Sequence, residues 1–313
     1  MIAVLGAGAF GTAMAIALAR SHDVALVARS GAEGMARSRQ SVGKLPGLRL
    51  PDRLWPVKVL PMGNFPVLVA VPTQHLRTAL EGNADALAGR PVVALCKGIE
   101  RGTLAGPTAV IADAVPDARP AILSGPSFAA DIARGLPTAL TLASREDAGG
   151  LRDALSAPTV RLYSTDDVTG VELGGALKNV TAIACGAAVG AGLGESARAA
   201  LLTRGFAETT RLAVALGADP ATLTGLSGLG DLALTCGSDL SRNLRHGIAL
   251  GRGETPEGGV TVEGALTAQA ALEVARREGV EMPIAATVAA LVAGETDVPG
   301  ALRALLGRPL KEE

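Results

Sequence analysis

Six short constellations carry residue types that could do chemistry. Gly6-Ala7-Gly8-Ala9-Phe10-Gly11 is a G-x-G-x-x-G run. In a strand–turn–helix, Gly6 would permit the tight turn, Gly8 would let a pyrophosphate approach the backbone, and Gly11 would let the helix lie close to the strand. Ala9 and Phe10 fall in the same turn and count among the expected cofactor contacts. Lys178 stands on a long apolar stretch in a chain whose lysines occur only at 44, 58, 97, 178 and 311. A lysine in apolar surroundings is a candidate proton donor, because burial lowers its pKa towards the useful range; the plain alternative is a side chain that snorkels to water. Lys97 follows a strand and precedes Gly98, so it stands on a loop at the sheet's carboxyl edge, where α/β sites form, or is an ordinary surface lysine. Gly125-Pro126-Ser127 offers backbone N–H groups and a hydroxyl to substrate oxygens, or is simply a turn with a capping serine. Asp231 closes a Gly-Leu-Gly-Asp turn and could pair with Lys178, or cap a helix. Ser241-Arg242-Asn243 combines free N–H groups, a guanidinium fork and an amide, which suits a phosphate; the alternative is a capping serine beside an exposed arginine.

The elements that must hold these residues fall into two halves. Up to Thr165, short apolar runs at Ile2–Leu5, Val24–Ala28, Val67–Val71, Pro91–Leu95, Ala121–Leu123 and Val160–Tyr163 read as strands, with a weaker one near Trp55–Leu60 and a further segment at Thr138–Ala143. Helical stretches are expected at 12–20, 73–88, 103–115, 129–134 and 146–156. Unbroken apolar strands alternating with helices predict an α/β fold, a Rossmann-type doubly wound parallel sheet. Residues 166–313 show no convincing strand and read as an all-helical domain, with helices at 170–189, 195–216, 221–226, 240–250, 263–278 and 284–292. The helix at 170–189 has only Glu172 and Lys178 as charges, so it is too apolar all round to lie on a surface. Domains are expected at 1–165 and 166–313.

Composition narrows the class of function. A formal charge of −1 gives no nucleic-acid or membrane footprint, and aromatic residues at 2% argue against a base-stacking platform. No apolar run of 18 or more residues stands out as a membrane span, and the first stretch lacks a basic start and is broken by three glycines, unlike a signal peptide. Cys96, Cys185 and Cys236 are far apart and odd in number, so neither a metal site nor a disulfide framework is expected and a reducing cytoplasm is the default. Past the second strand, where an NAD-selective domain places an acid, the chain has Arg29; an arginine could accept the 2′-phosphate of NADP, or simply be solvated. His22, His75 and His246 are scattered and receive no role.

Several stretches together resemble the bacterial NAD(P)-dependent glycerol-3-phosphate dehydrogenases: GAGAFGTAMA, CKGIE, SGPSFAADIARGLPT, VELGGALKNVTAIACG, AALLTRGFAETTRLAVALGA, GLSGLGDLALTC and SRNLRHGIALG. The resemblance runs through nearly the whole chain. It implies reduction of dihydroxyacetone phosphate to sn-glycerol 3-phosphate, for phospholipid synthesis, with NADP or NAD. It makes Lys178 the acid/base group, and adds Asp231 and Lys97 to the catalytic set. Gly125 and Ser127 would touch substrate, Ala129 the cofactor, and Ser241, Arg242 and Asn243 the substrate phosphate. Lys97 and Arg242 would also lie near the cofactor, which Thr261 and Glu263 would reach. The chain departs from the family at Ala191-Gly192-Leu193-Gly194-Glu195-Ser196, where an Asp-Gly-Leu-Gly segment followed by Asn is common, and in a short loop between Arg39 and Gly63.

The reading that follows is a two-domain dehydrogenase with its active site in the cleft and Lys178 giving the proton. A small-molecule substrate is the expected partner; a homodimer is left open. Rival readings are a ketopantoate reductase or 3-hydroxyacid dehydrogenase, which need no phosphate cradle, and a non-catalytic dinucleotide sensor, which needs neither Lys178 nor Asp231.

Overall fold

The computed structural model describes residues 1–41, 45, 47–255 and 262–306. It divides into two compact units, one of residues 1–100 and 105–172, the other of residues 101–104 and 173 onward.

The first unit is an α/β layer structure around one sheet. It begins with β1 (Ile2–Leu5), α1 (Ala9–Leu18), β2 (Val24–Val27), α2 (Ala32–Ser38), β3 (Leu54–Val57) and β4 (Val67–Val69). A 3₁₀ turn at Thr73–His75 leads into α3 (Leu76–Glu81) and α4 (Ala84–Leu87), followed by β5 (Pro91–Ala94), α5 (Pro107–Ala114) and β6 (Arg119–Ser124). It continues through α6 (Ala129–Arg134), β7 (Thr138–Ala143), α7 (Ala148–Leu155) and β8 (Val160–Thr165). The strands stand in the order β3-β2-β1-β4-β5-β6-β7-β8. The order reverses between β1 and β4, and a doubly wound sheet receives its ligand at the carboxyl ends of strands flanking such a switch. All four residues of β1 and all four of β2 are buried, because helices cover both faces of the sheet. Leu68, Val93 and Leu123 pack on the α1 face and Val69, Val92 and Ile122 on the other, so alternate residues of each strand feed separate cores.

Three details differ from the periodicity reading. The helix expected over 73–88 is divided: Gly82 and Asn83 interrupt it, and the Asn83 amide donates back to the Ala79 carbonyl at 2.8 Å. The helix expected from 103 starts only at Pro107, since Gly102 and Leu104 both have positive φ (90° and 62°) and cannot belong to a helix. The sheet is parallel except where β7 meets β6 antiparallel, with β8 parallel to β7. Six-residue α6 rises only about 9 Å, too little to carry the chain back along a strand of about 20 Å.

The second unit is helical among its described residues. The boundary between the units falls within α8 (Val168–Gly190). There follow α9 (Gly194–Ala215), α10 (Pro220–Thr224), a π-helical turn at Leu226–Gly230, α11 (Asp231–Gly237), α12 (Arg242–Gly251), α13 (Glu263–Arg277), α14 (Pro283–Ala293) and α15 (Val298–Leu306). Periodicity alone missed α11 and α15, which are short or near the chain end. Buried Glu208 of α9 caps α14: its carboxylate accepts from the Ile284 N–H at 2.7 Å and the Ala285 N–H at 3.2 Å. A carboxylate there answers both the uncapped amides and the positive end of the helix dipole.

Glycines set the tightest packing in this unit. A Cβ on Gly186 of α8 would fall 2.1 Å from the Leu244 carbonyl oxygen, and one on Gly190 2.2 Å from that of Ile248. Reciprocally, a Cβ on Gly247 of α12 would fall 2.1 Å from the Ile183 oxygen, and one on Gly251 2.3 Å from that of Ala187. The two G-x-x-x-G pairs therefore let the α8 and α12 backbones touch, which no residue with a side chain would allow. This contact fixes α12, with Arg242 at its start, against the helix that carries Lys178.

Candidate active site

The glycine turn leaves β1 at the switch point. Gly6 has φ of 113°, and a Cβ there would lie 2.6 Å from the Ala70 oxygen, just past β4. A Cβ on Gly11 would fall 2.0 Å from the Gly6 oxygen, so the first turn of α1 is pressed onto the loop below it. Gly8 differs: a Cβ there meets nothing within 4 Å. No contact in the fold requires glycine at position 8, whereas Gly6 and Gly11 serve the fold. No side chain caps α1, so its first N–H groups and positive dipole end remain open to an anion. An open backbone cradle at the carboxyl end of β1 fits a dinucleotide pyrophosphate. Ala9 and Phe10 begin α1 beside it. Arg29 is exposed directly beyond β2, where no acid is present to take a ribose 2′-OH.

On the other side of the switch, three expected residues converge at the ends of β5 and β6. Lys97 Nζ donates to the Gly125 carbonyl at 3.0 Å, and Ser127 Oγ donates to the same oxygen at 2.9 Å. Gly125 has φ of 143°, a conformation closed to other residues, and its missing Cβ leaves room for Leu140 behind it. Ala129 opens α6, which has no side-chain N-cap.

In the second unit Lys178 is held in a buried polar cluster. Its Nζ lies 2.5 Å from Asp231 Oδ1 and donates to Thr235 Oγ1 at 2.9 Å. Thr235 in turn donates to the Asp231 carbonyl at 2.6 Å. Lys178 is 8% exposed and Asp231 fully buried, so the two side chains face each other away from water, where their attraction is little screened. Asp231 follows the π-helical turn without a break, and the Gly174 face of α8 lies against that turn at Ser227 and Gly228. π turns of this kind concentrate at functional sites because they re-aim the residues after them. Sequence reasoning missed Thr235, although its i+4 spacing from Asp231 on a helix is visible there.

Ser241 is the N-cap of α12, its Oγ accepting from the Leu244 N–H at 3.2 Å. Arg242 is exposed at the first helical position. Asn243 bridges two helices: its amide donates to Asn179 Oδ1 at 2.9 Å and its carbonyl accepts from the Gly264 N–H at 3.1 Å. Asn243 therefore links the neighbour of Lys178 to the first turn of α13, which Glu263 opens. Thr261 lies outside the described residues.

The remaining reactive groups are quiet. All three cysteines are free and buried; a hydrogen bond to Cys185 and burial push the Cys236 thiol up, away from a nucleophilic thiolate. Among the described residues no three His, Cys, Asp or Glu side chains are grouped to hold a metal. One described helix, α8, is long and apolar enough to cross a membrane, and 89% of its apolar window is buried inside the protein.

A switch-point glycine turn in one unit and a caged lysine in another define the class of two-domain, dinucleotide-dependent oxidoreductases. The family descriptions "NAD-dependent glycerol-3-phosphate dehydrogenase N-terminus" and "C-terminus" match residues 1–149 and 167–303. A glycerol-3-phosphate dehydrogenase [NAD(P)+] of Cereibacter sphaeroides is 54% identical over 318 aligned positions, covering 100% of both chains. The crystal structure of glycerol-3-phosphate dehydrogenase from Coxiella burnetii superimposes with a TM-score of 0.89 at 34% identity, covering 98% of each chain. A ketopantoate reductase from Ralstonia eutropha shares the fold alone, with a TM-score of 0.57 at 16% identity over 93% of this chain and 97% of its own. The chain belongs to the NAD-dependent glycerol-3-phosphate dehydrogenase family.

Proposed function

We propose that this protein reduces dihydroxyacetone phosphate reversibly to sn-glycerol 3-phosphate with NADPH or NADH, in the cytoplasm, at the head of glycerophospholipid synthesis. The observation that carries the reading is the Lys178–Asp231–Thr235 cage, which holds an ammonium proton in place with two oxygen partners. The residues that would hold the cofactor are Gly6, Gly8, Ala9, Phe10 and Gly11 of the turn, with Ala129, Arg242, Thr261 and Glu263 added by the family pattern. When bound, the reduced nicotinamide supplies the hydride.

The other half of the reaction falls to the protein. Lys178 gives its proton to the carbonyl oxygen of the substrate and recovers it in the reverse direction. Asp231 and Thr235 together keep Nζ from swinging away before transfer. Lys97, Gly125 and Ser127 bind the polar end of the substrate. Ser241, Arg242 and Asn243 take the phosphate: Arg242 stands at a helix start, where guanidinium and backbone amides act together on a dianion. Arg29 is read as a contact to the 2′-phosphate of NADP, since it replaces the acid that would select NAD.

The test follows NADPH and NADH absorbance with dihydroxyacetone phosphate and with a panel of unphosphorylated keto acids. Turnover of the phosphate ester alone supports the reading. Equal or faster turnover of a keto acid would reassign the substrate. Arg29→Asp should shift the ratio of kcat/KM values towards NADH, and an unchanged ratio would make Arg29 a bystander.

A further inference from the structure

The β5–α5 connection that carries Lys97 is gripped from α3 by side chains that have no part in the proposed reaction. Arg77 donates from Nε to Glu100 Oε1 at 3.0 Å and from a terminal nitrogen to Glu100 Oε2 at 2.9 Å, a two-point fork. The Glu100 side chain is only 10% exposed, while the second carboxylate partner of Arg77, Asp113 on α5, is 70% exposed. One turn before Arg77, Gln74 Nε2 donates to the Ile99 carbonyl at 2.8 Å. The Glu100 N–H donates to the Ala105 carbonyl at 2.9 Å and closes the loop on itself. Residues 99 and 100 are thus tied down, and Gly98 alone separates the first tie from Lys97.

The ties matter because of what lysine is. Its charge ends a flexible four-carbon stem, so the backbone at its root must be fixed if Nζ is to stand in one place. An isolated ion pair at a surface does little. A guanidinium fork to a nearly buried carboxylate also sets angle and distance. The outer end of the same connection is pinned separately, where Glu172 of α8 accepts from the Thr108 N–H at 2.7 Å and the Thr108 hydroxyl at 2.8 Å.

We propose that Arg77, through its fork to Glu100, is a positioning residue for Lys97: it sets where Lys97 Nζ stands against the Gly125 carbonyl. This rests on the reading of Lys97 as a substrate contact. A staple that merely stabilises α3 against the loop would have the same hydrogen bonds but would not act through Lys97.

A double-mutant cycle separates the two. Arg77→Met, Lys97→Met and the combined variant are compared by kcat and KM for dihydroxyacetone phosphate, with melting temperature and NADPH affinity measured alongside. Arg77→Met alone is expected to lower kcat/KM by roughly tenfold or more, as misplacement of a binding group does. On the Lys97→Met background the same change should do nothing further. Losses that multiply would overturn the inference and leave Arg77 a staple, with the Lys97 reading intact. Wild-type activity in Lys97→Met would overturn both. If Arg77→Met does not fold, Glu100→Gln, which keeps the volume and removes the charge, goes through the same cycle and is judged by the same outcomes. A readout without cofactor or substrate completes the test: ¹³C-dimethylated lysines give few signals, and the one absent in Lys97→Met should shift when Arg77 is changed. An unshifted signal would contradict the proposal.

Discussion

The glycine turn of the first unit and the lysine cage of the second solve the same problem, holding one chemical group still, by opposite means. The turn is built of backbone. Its parts lie within six consecutive residues, and two of its three glycines are required by contacts of 2.0 and 2.6 Å that any Cβ would violate. The cage is built of side chains, and its members come from positions 53 and 57 residues apart along the chain. A backbone site tolerates no side chain where it is built and is indifferent to most neighbours. A side-chain site depends on the whole helical unit to bring its members together, including the glycine contacts between α8 and α12. The turn should therefore fail through its own geometry, and the cage through loss of charge balance.

The largest effect expected on stability is at the cage. Asp231→Ala leaves the Lys178 ammonium in a buried site without its carboxylate, and should cost about 3–5 kcal/mol in urea unfolding. The motive is the fully buried Asp231 at 2.5 Å from Nζ. A loss under about 1 kcal/mol would mean that the pair is solvated in solution and the cage is open.

Next comes the phosphate end of the second unit. Arg242→Ala should raise the barrier for dihydroxyacetone phosphate by about 1.5–3 kcal/mol, one to two decades in kcat/KM. A phosphate-free analogue never makes that contact, so its already poor kcat/KM should barely move. Equal losses for both would shift Arg242 to the cofactor or the fold; no loss for either would remove the cradle from α12.

The turn then divides within itself. Gly11→Ala should lower stability by about 1–3 kcal/mol, since its Cβ has no room and backbone must shift. Gly8→Ala should leave unfolding nearly unchanged yet weaken NADPH binding, because the space it fills lies outside the protein. If both variants lost stability alike, the open cradle at Gly8 would be wrong.

The smallest effect is a pH dependence. Burial holds His246 of α12 below its ordinary value of 6.5. The folded protein then binds fewer protons there than the unfolded chain, so stability falls as pH drops below that range. His246→Gln should flatten this limb of the stability curve. An identical limb in the variant would assign it to other groups.

How much of this was legible in the sequence follows the same division. The turn was legible because its chemistry is local: strand, three glycines and helix are adjacent, and the buried strands around it carry the unbroken apolar runs of a covered sheet. Lys178 was legible as an oddity, a charge on an apolar helix. That Asp231 is its partner was one alternative among two, since nothing local to residue 231 tells a cap from an ion pair. Thr235 was legible only as an i+4 neighbour of Asp231, on a short helix that periodicity missed, and the Arg77–Glu100 fork was not legible, because it joins a helix to a loop that only the fold brings together. The antiparallel turn of β7 was hidden for a similar reason: periodicity reports burial of a strand and not its direction. Ser241 shows the limit from the other side. Its capping hydrogen bond is the plain reading of a serine before a helix, and it stands beside the phosphate role proposed for Ser241, Arg242 and Asn243 together.

The most direct test of the central claim is the turnover of Lys178→Ala with dihydroxyacetone phosphate, measured on protein whose NADPH dissociation constant shows the cofactor domain intact. Loss of the one proton donor should lower kcat by ~10²–10⁴-fold, with NADPH binding within about twofold of wild type because the glycine turn and the cage belong to different units. A kcat within a few-fold of wild type would contradict the account, since the proton would then be coming from somewhere other than the caged lysine.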